Sequence, residues 1–117
     1  MIPHPIEVRY VEAEQSLRVE FSDGLVLEYP TPFLRGFCPC ARCQGHGGGP
    51  PTWTAAPHPR AYVVDNVSPV GSYAFCIVWG DGHDTGIYSF EMLRRMDVEG
   101  FDRSAMTAES ELPLKPA

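Results

Sequence analysis

A run of three cysteines within six residues limits the folds that are open to this 117-residue chain. Cys38, Cys40 and Cys43 follow the pattern C-x-C-x-x-C, with Pro39 between the first two. Thiols this close together cannot cross-link distant segments, but three thiolates can converge on one metal ion, with each sulfur about 2.3 Å away. The run therefore predicts a metal site, and a four-coordinate site needs one further ligand from elsewhere in the chain.

Length and composition predict a single folded domain in a reducing compartment. A chain of this size supports one modest core. The sequence has neither a signal-peptide pattern nor an apolar stretch of membrane-spanning length, so we expect a cytoplasmic protein without membrane association. Cytosolic thiols stay reduced, which favours metal binding or reactivity over disulfide bonds.

The charge balance argues against a nucleic-acid partner. The chain carries 15 acidic and 9 basic residues, for a formal net charge of −6. Nucleic-acid phosphate and anionic membranes both attract clusters of Lys and Arg, and the longest basic run here is Arg94-Arg95.

Alternation of apolar and polar residues predicts an antiparallel meander at the start of the chain. Its three strands are residues 6–11, 17–21 and 25–29. A Ser-Asp-Gly turn at 22–24 joins the last two strands, because glycine can take the positive φ that a tight turn requires. Thr31 is predicted to cap a short helix with Pro32 at its first position. This helix would deliver the cysteines at its end.

After the cysteines, the pattern predicts a long loop, three strands and a second helix. Residues 44–59 are rich in Gly, Pro and Ala, which is typical of a mobile surface loop, with Trp53 as its possible anchor. The strands are residues 61–64, 73–79 and 86–88, and the second is apolar on both faces, which predicts a central, fully buried strand. Ser89 is predicted to cap a helix that runs to about Met96.

These elements predict one small α+β domain over residues 1–98, mostly of antiparallel strands with two short helices and a zinc-pinned loop. Residues 99–117 show no hydrophobic periodicity, so we expect a disordered tail. No internal repeat is visible in the sequence.

Five residues are candidates for the fourth metal ligand, namely Cys76, His4, His46, His58 and His83. Cys76 lies within the apolar strand, where an inert core thiol is expected. His46 and His58 lie on the glycine-rich loop, where ordering the chain costs entropy, although His46 is only three residues past Cys43. His4 lies near the end of the chain. His83 follows the Gly-Asp-Gly turn after the central strand, from which an imidazole can reach a neighbouring corner. The residues alone favour His83 and leave the others open.

Two other interpretations of the cysteines remain. Each cysteine could be a small buried hydrophobe, although a loop bounded by Pro and Gly offers little core. Cys40 and Cys43 could form a redox C-x-x-C pair, but no thioredoxin-like βαβ pattern surrounds them.

The residues around His83 also allow two roles. Asp81 or Asp84 could accept the second ring N–H of His83, or both could simply form the turn. We expect Arg35 to be solvated.

The segments Phe33–Cys43 and Val78–Ser89, followed by Leu93-Arg94, resemble the gamma-butyrobetaine hydroxylase-like N-terminal domain family. Leu17–Gly24 is similar to the opening hairpin of that family, and the resemblance covers roughly residues 6–96. In gamma-butyrobetaine and trimethyllysine hydroxylases, the equivalent domain precedes an oxygenase domain and holds a structural zinc. By position, the resemblance implies that the zinc ligands here are Cys38, Cys40, Cys43 and His83. Many small bacterial members lack these cysteines, so their presence is a property of this chain.

The expected function is a metal-binding accessory or protein-interaction module without catalytic activity, acting with a protein partner. A non-haem iron oxygenase needs two histidines and a carboxylate around an open metal site, and the sequence offers no second well-placed histidine beside His83. The alternative is an iron–sulfur accessory protein, since domains of this family also occur attached to ATPase-type cluster carriers. Three cysteines and one histidine can hold a [2Fe–2S] cluster as well as a zinc ion.

Overall fold

The computed structural model describes residues 3–40, 52–56, 58–98 and 112–114. In the first half of the chain, the strands are β1 (Pro5–Val11), β2 (Ser16–Phe21) and β3 (Val26–Pro30), followed by helix α1 (Thr31–Gly36). In the second half, they are β4 (Val64–Val70), β5 (Ala74–Trp79) and β6 (Gly86–Ser89), followed by helix α2 (Phe90–Arg95). Short 3-10 turns occur at Glu12–Glu14 and Pro59–Tyr62. Within the described residues, no helix is long and apolar enough to cross a bilayer.

The strands form two antiparallel three-stranded sheets, ordered β1-β2-β3 and β4-β5-β6, and the fold is α+β as predicted. The central strands place alternate side chains in a shared core, since successive residues of a strand point to opposite faces. The buried side chains of these two strands include Leu17, Val19, Phe21, Phe75, Ile77 and Trp79.

The two sheets repeat the same construction, which the sequence pattern did not reveal. Each is a meander followed directly by a six-residue helix. The pairing of Pro5 with Phe21 in the first sheet corresponds to that of Val64 with Trp79 in the second. The remaining β1–β2 pairs have equivalents in β4–β5, and both ladders shift register immediately after that first pair. Residues 5–36 and 64–95 are therefore two equivalent units, called here the first half and the second half.

The equivalence extends to the contacts between the halves. Tyr29 of β3 donates its hydroxyl to the carbonyl of Leu93 in α2 at 2.8 Å. Tyr88 of β6 donates to the carbonyl of Leu34 in α1 at 2.6 Å. Each half thus ties its last strand to the helix of the other. Reciprocal contacts of this kind indicate that an approximate two-fold axis relates the halves.

The two helices begin in different ways. Thr31 is the first residue of α1 rather than its cap, because Pro30 occupies the N-cap position. The Thr31 hydroxyl donates instead to the carbonyl of Gln15 at 3.2 Å. The predicted cap of α2 is confirmed, since the Ser89 hydroxyl accepts the main-chain N–H of Met92 at 3.1 Å.

Two strand predictions for the second half were wrong. Residues 59–62 form a 3-10 turn, and the strand begins only at Val64. β4 was missed because its sequence is polar and contains Pro69, which a strand at the edge of a sheet tolerates. β5 is not buried on both faces, because Cys76 and Val78 are only half-buried on its outer side. An antiparallel sheet can leave one face to solvent.

The described parts of the long loop and of the tail pack against the core. Trp53 is half-buried, and its indole N–H donates to the carbonyl of Pro32 at 3.4 Å. In the segment where we expected disorder, Leu112 is buried and Leu114 pairs with Met96. The rest of both segments lies outside the described residues.

Candidate metal centre

Cys38, Cys40 and His83 meet where the end of α1 approaches the β5–β6 turn. Nε2 of His83 lies 3.3 Å from Sγ of Cys38 and 3.4 Å from Sγ of Cys40. All three potential ligand atoms lie within 4.8 Å of one another. In a tetrahedral zinc site, a thiolate sulfur and an imidazole nitrogen are separated by about 3.6 Å, given the usual zinc–ligand bond lengths. The donor set therefore fits a zinc ion with small adjustments.

A single thiol–imidazole hydrogen bond does not account for both sulfur contacts of His83. One ring nitrogen has either a single N–H or a single lone pair, depending on the tautomer. It can therefore direct a full hydrogen bond to only one sulfur at a time. Both sulfurs nevertheless lie at nearly the same distance from Nε2 of His83.

The end of α1 sets the position of the cysteines. The Phe37 N–H donates to the carbonyl of Phe33 at 3.2 Å, and the Cys38 N–H donates to that of Arg35 at 3.1 Å. This tightened last turn brings Cys38 into the core, whereas Cys40 remains half-buried. Cys38 thus lies deeper in the core than Cys40.

The β5–β6 turn sets the position of His83. The Trp79 N–H donates to the carbonyl of His83 at 2.9 Å, and the Gly82 N–H donates to that of Trp79 at 2.9 Å. Gly82 has a φ of +89°, which favours glycine. Oδ1 of Asp81 accepts the main-chain N–H of His83 at 3.0 Å. Of the two roles considered for Asp81, the structure therefore displays the turn-forming one.

Arg35 is buried, contrary to the expectation that it is solvated. Its Nη1 lies 3.0 Å from Oδ1 of Asp81, and its guanidinium lies 6.0 Å from the ring centroid of Trp79. Burial raises the pKa of the Asp81 carboxyl, but the hydrogen bonds from Arg35 and from the His83 main chain outweigh it and lower the pKa. A single arginine in a short helix gives no sequence signal of this burial, because arginine is usually exposed.

Gly86 is a further site residue that the sequence pattern did not reveal. A Cβ atom at this position would lie 2.6 Å from Sγ of Cys38, so any side chain here would displace that sulfur. The available signal was a glycine within a predicted strand, which often marks a close approach of another group.

The other candidate ligands lie elsewhere or are outside the described residues. Nδ1 of His58 accepts the main-chain N–H of Arg60 at 3.1 Å, and His4 is exposed, directly before β1. The Cys76 thiol donates to the carbonyl of Asp84 at 3.0 Å, and burial, reinforced by the Asp84 charge, raises its pKa. Cys43 and His46 lie outside the described residues.

Comparison with known proteins identifies relatives of the chain. A search of curated proteins found no match. A protein of unknown function from Acidithiobacillus ferrooxidans, of the DUF971 family, has a crystal structure similar to this chain. It is 34% identical, with a TM-score of 0.58, and the match covers 78% of this chain and 89% of the relative.

Two solution structures determined by NMR are also similar. The first is 31% identical with a TM-score of 0.63, covering 79% of this chain and 67% of the other. The second is 26% identical with a TM-score of 0.57, covering 80% and 72%.

The family model described as gamma-butyrobetaine hydroxylase-like, N-terminal, matches residues 8–94. This range covers nearly all of both halves of the fold and contains all four implied zinc ligands. Three of these, Cys38, Cys40 and His83, are within the described residues. The chain belongs to the gamma-butyrobetaine hydroxylase-like N-terminal family, whose small stand-alone members include proteins of unknown function.

Proposed function

We propose that this chain is a non-catalytic accessory module with a structural zinc site formed by Cys38, Cys40, Cys43 and His83. The observation that carries the proposal is the convergence of two thiols and an imidazole, from distant parts of the chain, within 4.8 Å. Cys43 is included because of its spacing and the family resemblance. Four protein ligands leave no open position for a reacting water, so the zinc would hold α1 against the β5–β6 turn.

The compactness of the donor set favours a single ion over a cluster. With three ligands on a [2Fe–2S] cluster, at least one must bind the second iron, which spreads the donors beyond the separation that one ion produces. The three described donors instead all lie within 4.8 Å of one another. The cluster-binding alternative draws support from Cys40 and His83, which are only half-buried. A protein that delivers an iron–sulfur cluster could reach them.

A cleft among the described residues does not fit the cosubstrate of an oxygenase. A cleft of about 840 Å³ opens between β1 and β4, and apolar side chains such as Val8, Val67 and Phe75 line it. Its lining residues include neither Lys nor Arg. The oxygenase cosubstrate 2-oxoglutarate is a dicarboxylate, and proteins usually bind such groups through charge-assisted hydrogen bonds from basic side chains.

A cytoplasmic location and a protein partner complete the proposal. Thiolate ligands require a compartment that keeps thiols reduced. A net charge of −6 disfavours nucleic-acid phosphate as a partner. Large apolar side chains, Ile6, Tyr73 and Ile87, are exposed, and protein partners bury side chains of this kind.

The test is elemental analysis with an absorption spectrum, on protein purified without oxygen and without added metal. We expect one zinc per chain and no visible absorption band. The substitution His83→Ala should lower the zinc content, whereas His58→Ala, which removes a histidine outside the site, should not. Unchanged zinc in His83→Ala would remove His83 from the ligand set. Iron with acid-labile sulfide and a brown colour would replace the zinc proposal with the cluster-binding one.

A further inference from the structure

We infer that the ion pair between Arg35 and Asp81 positions His83 for metal binding, by fixing the ligand-bearing turn against α1 before the metal arrives. The inference rests on the proposed function in one respect, namely that His83 is a ligand. Arg35 and Asp81 would be positioning residues, since neither offers an atom to the metal.

A single oxygen atom carries the connection. Oδ1 of Asp81 accepts one hydrogen bond from Nη1 of Arg35 and another from the main-chain N–H of His83, each at 3.0 Å. Arg35 lies on α1 just before Cys38, and Asp81 lies just before His83. The ion pair therefore joins the same two elements that the metal would join, and it does so without the metal.

The surroundings of Arg35 leave its guanidinium little freedom. The side chain is only 9% exposed. Its Nη1 lies 3.5 Å from the carbonyl of Ala61, and its guanidinium lies near the Trp79 ring. Because a buried charge without its partner is costly, Asp81 is constrained to the place that Arg35 defines. The main chain of His83 follows Asp81, and its imidazole is directed at the sulfurs.

The turn of the first half makes the same kind of contact with the opposite helix, without a metal ligand. Arg94 of α2 binds Asp23 through two hydrogen bonds, at 3.1 and 2.7 Å. Oδ1 of Asp23 accepts the main-chain N–H of Leu25 at 3.3 Å, as Asp81 accepts that of His83. The equivalent of His83 is thus Leu25, which cannot bind a metal. This pair is therefore a control for such a contact without a metal ligand, at a more exposed position.

The experiment compares Asp81→Ala with Asp23→Ala, using zinc alone as the probe. The apparent affinity for Zn²⁺ is measured by competition with a chromophoric chelator. Loss of groups that orient a ligand typically weakens metal binding about 10- to 100-fold. We expect a loss of this size in Asp81→Ala and a change of less than about threefold in Asp23→Ala. Equal affinities of the two variants would overturn the inference.

Substitution by Co²⁺ gives a spectroscopic readout that a purely structural role would not change. The visible bands of the Co²⁺ form depend on how sulfur and imidazole surround the ion. Asp81→Ala should alter these bands, and Asp23→Ala should leave them as in the wild type. If Asp81→Ala does not fold, Asp81→Asn keeps an acceptor oxygen and removes the charge, and the same differences in affinity and spectrum, smaller in size, are expected.

A measurement on metal-free protein separates this inference from the proposed function. In the wild type, NMR should detect contacts between the His83 ring and the Cys38 side chain before any metal is added. These contacts should be lost in Asp81→Ala and retained in Asp23→Ala. Their absence from the folded wild type would overturn the positioning role even if zinc binds. Their presence would support it even if the native metal proves not to be zinc.

Discussion

The hairpin turns of the two halves have the same backbone and different surroundings. In the first half, the Phe21 N–H donates to the carbonyl of Leu25 at 2.8 Å, and the Gly24 N–H donates to that of Phe21 at 3.0 Å. The equivalent bonds of the second half, between Trp79 and His83 and between Gly82 and Trp79, are both 2.9 Å. The turn glycines have φ values of +91° and +89°. Each turn also carries an aspartate that binds an arginine of the opposite helix.

The two turns differ in the residue after the glycine and in what lies opposite. Leu25 is an exposed apolar residue, whereas His83 lies against Cys38 and Cys40. The Arg35–Asp81 pair is also less exposed than the Arg94–Asp23 pair, with arginine side chains 9% and 23% exposed. A turn that serves only the fold in one half thus holds a candidate ligand in the other, through one changed side chain and the cysteines after α1.

Removal of the metal should lower the stability most, because the zinc would hold α1 against the second-half turn. A ligand present at about 1,000 times its Kd stabilises the native state by about 4 kcal/mol. For a domain of this size, that corresponds to a rise in Tm of roughly 15 °C. Calorimetry before and after chelation measures this difference in Tm. His83→Ala is the control, and zinc should raise its Tm only slightly. A chelated wild type with an unchanged Tm would contradict the structural role.

The two arginines should differ in what their loss costs the metal-free fold. Arg35→Met removes one partner of a largely buried pair, for which about 3 kcal/mol of unfolding free energy is expected. Arg94→Met acts on a more exposed pair, for which about 1 kcal/mol or less is expected. Urea unfolding of both variants, monitored by circular dichroism, provides the comparison. If both variants lose a similar free energy of unfolding, the difference in burial between the two ion pairs does not change their contribution to stability.

Gly86→Ala should damage the metal site more than the fold. The added Cβ would meet Sγ of Cys38 at 2.6 Å, whereas the equivalent position in the first half, Leu27, carries a large side chain. Overpacking of this kind costs about 1–3 kcal/mol. Here the side chain of Cys38 would move to relieve the overlap, which displaces a candidate metal ligand. We expect zinc affinity to fall about tenfold, by analogy with other groups that orient metal ligands. Ile87→Ala, at the exposed neighbouring position, is the control and should bind zinc as the wild type does.

Cys76→Ala should leave the zinc content unchanged. The equivalent position in β2 is occupied by the exposed Arg18, so this outer-face site has no part in the core of either half. Burial, reinforced by the Asp84 charge, raises the pKa of Cys76, which keeps the thiol protonated near neutral pH. Alkylation of Cys76 at pH 8 should therefore be slower than that of a free cysteine. A loss of zinc in Cys76→Ala would restore Cys76 as a candidate ligand.

The pH dependence of the first-half turn should be weaker than any of these effects. The hydrogen bond from Arg94 is the main cause that lowers the pKa of Asp23 below its usual 3.8. Because the folded-state pKa is the lower one, the contribution to stability is present above about pH 4. It is lost as the pH falls through the folded-state pKa. The difference in Tm between the metal-free wild type and Asp23→Asn should thus be visible at pH 7 and shrink towards pH 3.

Local pattern was sufficient for much of the fold. Alternation placed β2 and β3, the Ser-Asp-Gly and Gly-Asp-Gly turns were recognised from their residues, and Ser89 was identified as a cap. These signals are local, because side-chain alternation, positive φ and capping depend on residues close together in the chain. β4 was missed for the same reason, since an edge strand with polar residues and Pro69 has no clear local pattern.

Only part of the candidate site could be predicted from the sequence. The spacing of the cysteines predicted a metal, and the residues favoured His83, which the family resemblance then assigned as a ligand. The proximity of Cys38, Cys40 and His83 is seen only in the structure, as are the burial of Arg35 and the clearance at Gly86. Each depends on which group lies opposite in space, and sequence distance carries little information about that.

The sequence pattern was enough to predict a small α+β domain with a thiol-rich corner after its first helix. The sequence did not reveal the two-fold construction, because the halves share few identical residues. The shared ones include an Asp-Gly pair, a tyrosine and a Leu-Arg pair. The repeat lies in strand register and in reciprocal contacts, such as those of Tyr29 with Leu93 and Tyr88 with Leu34. The contact between the second-half turn and the cysteines is a product of tertiary packing, because each turn packs against the helix of the other half.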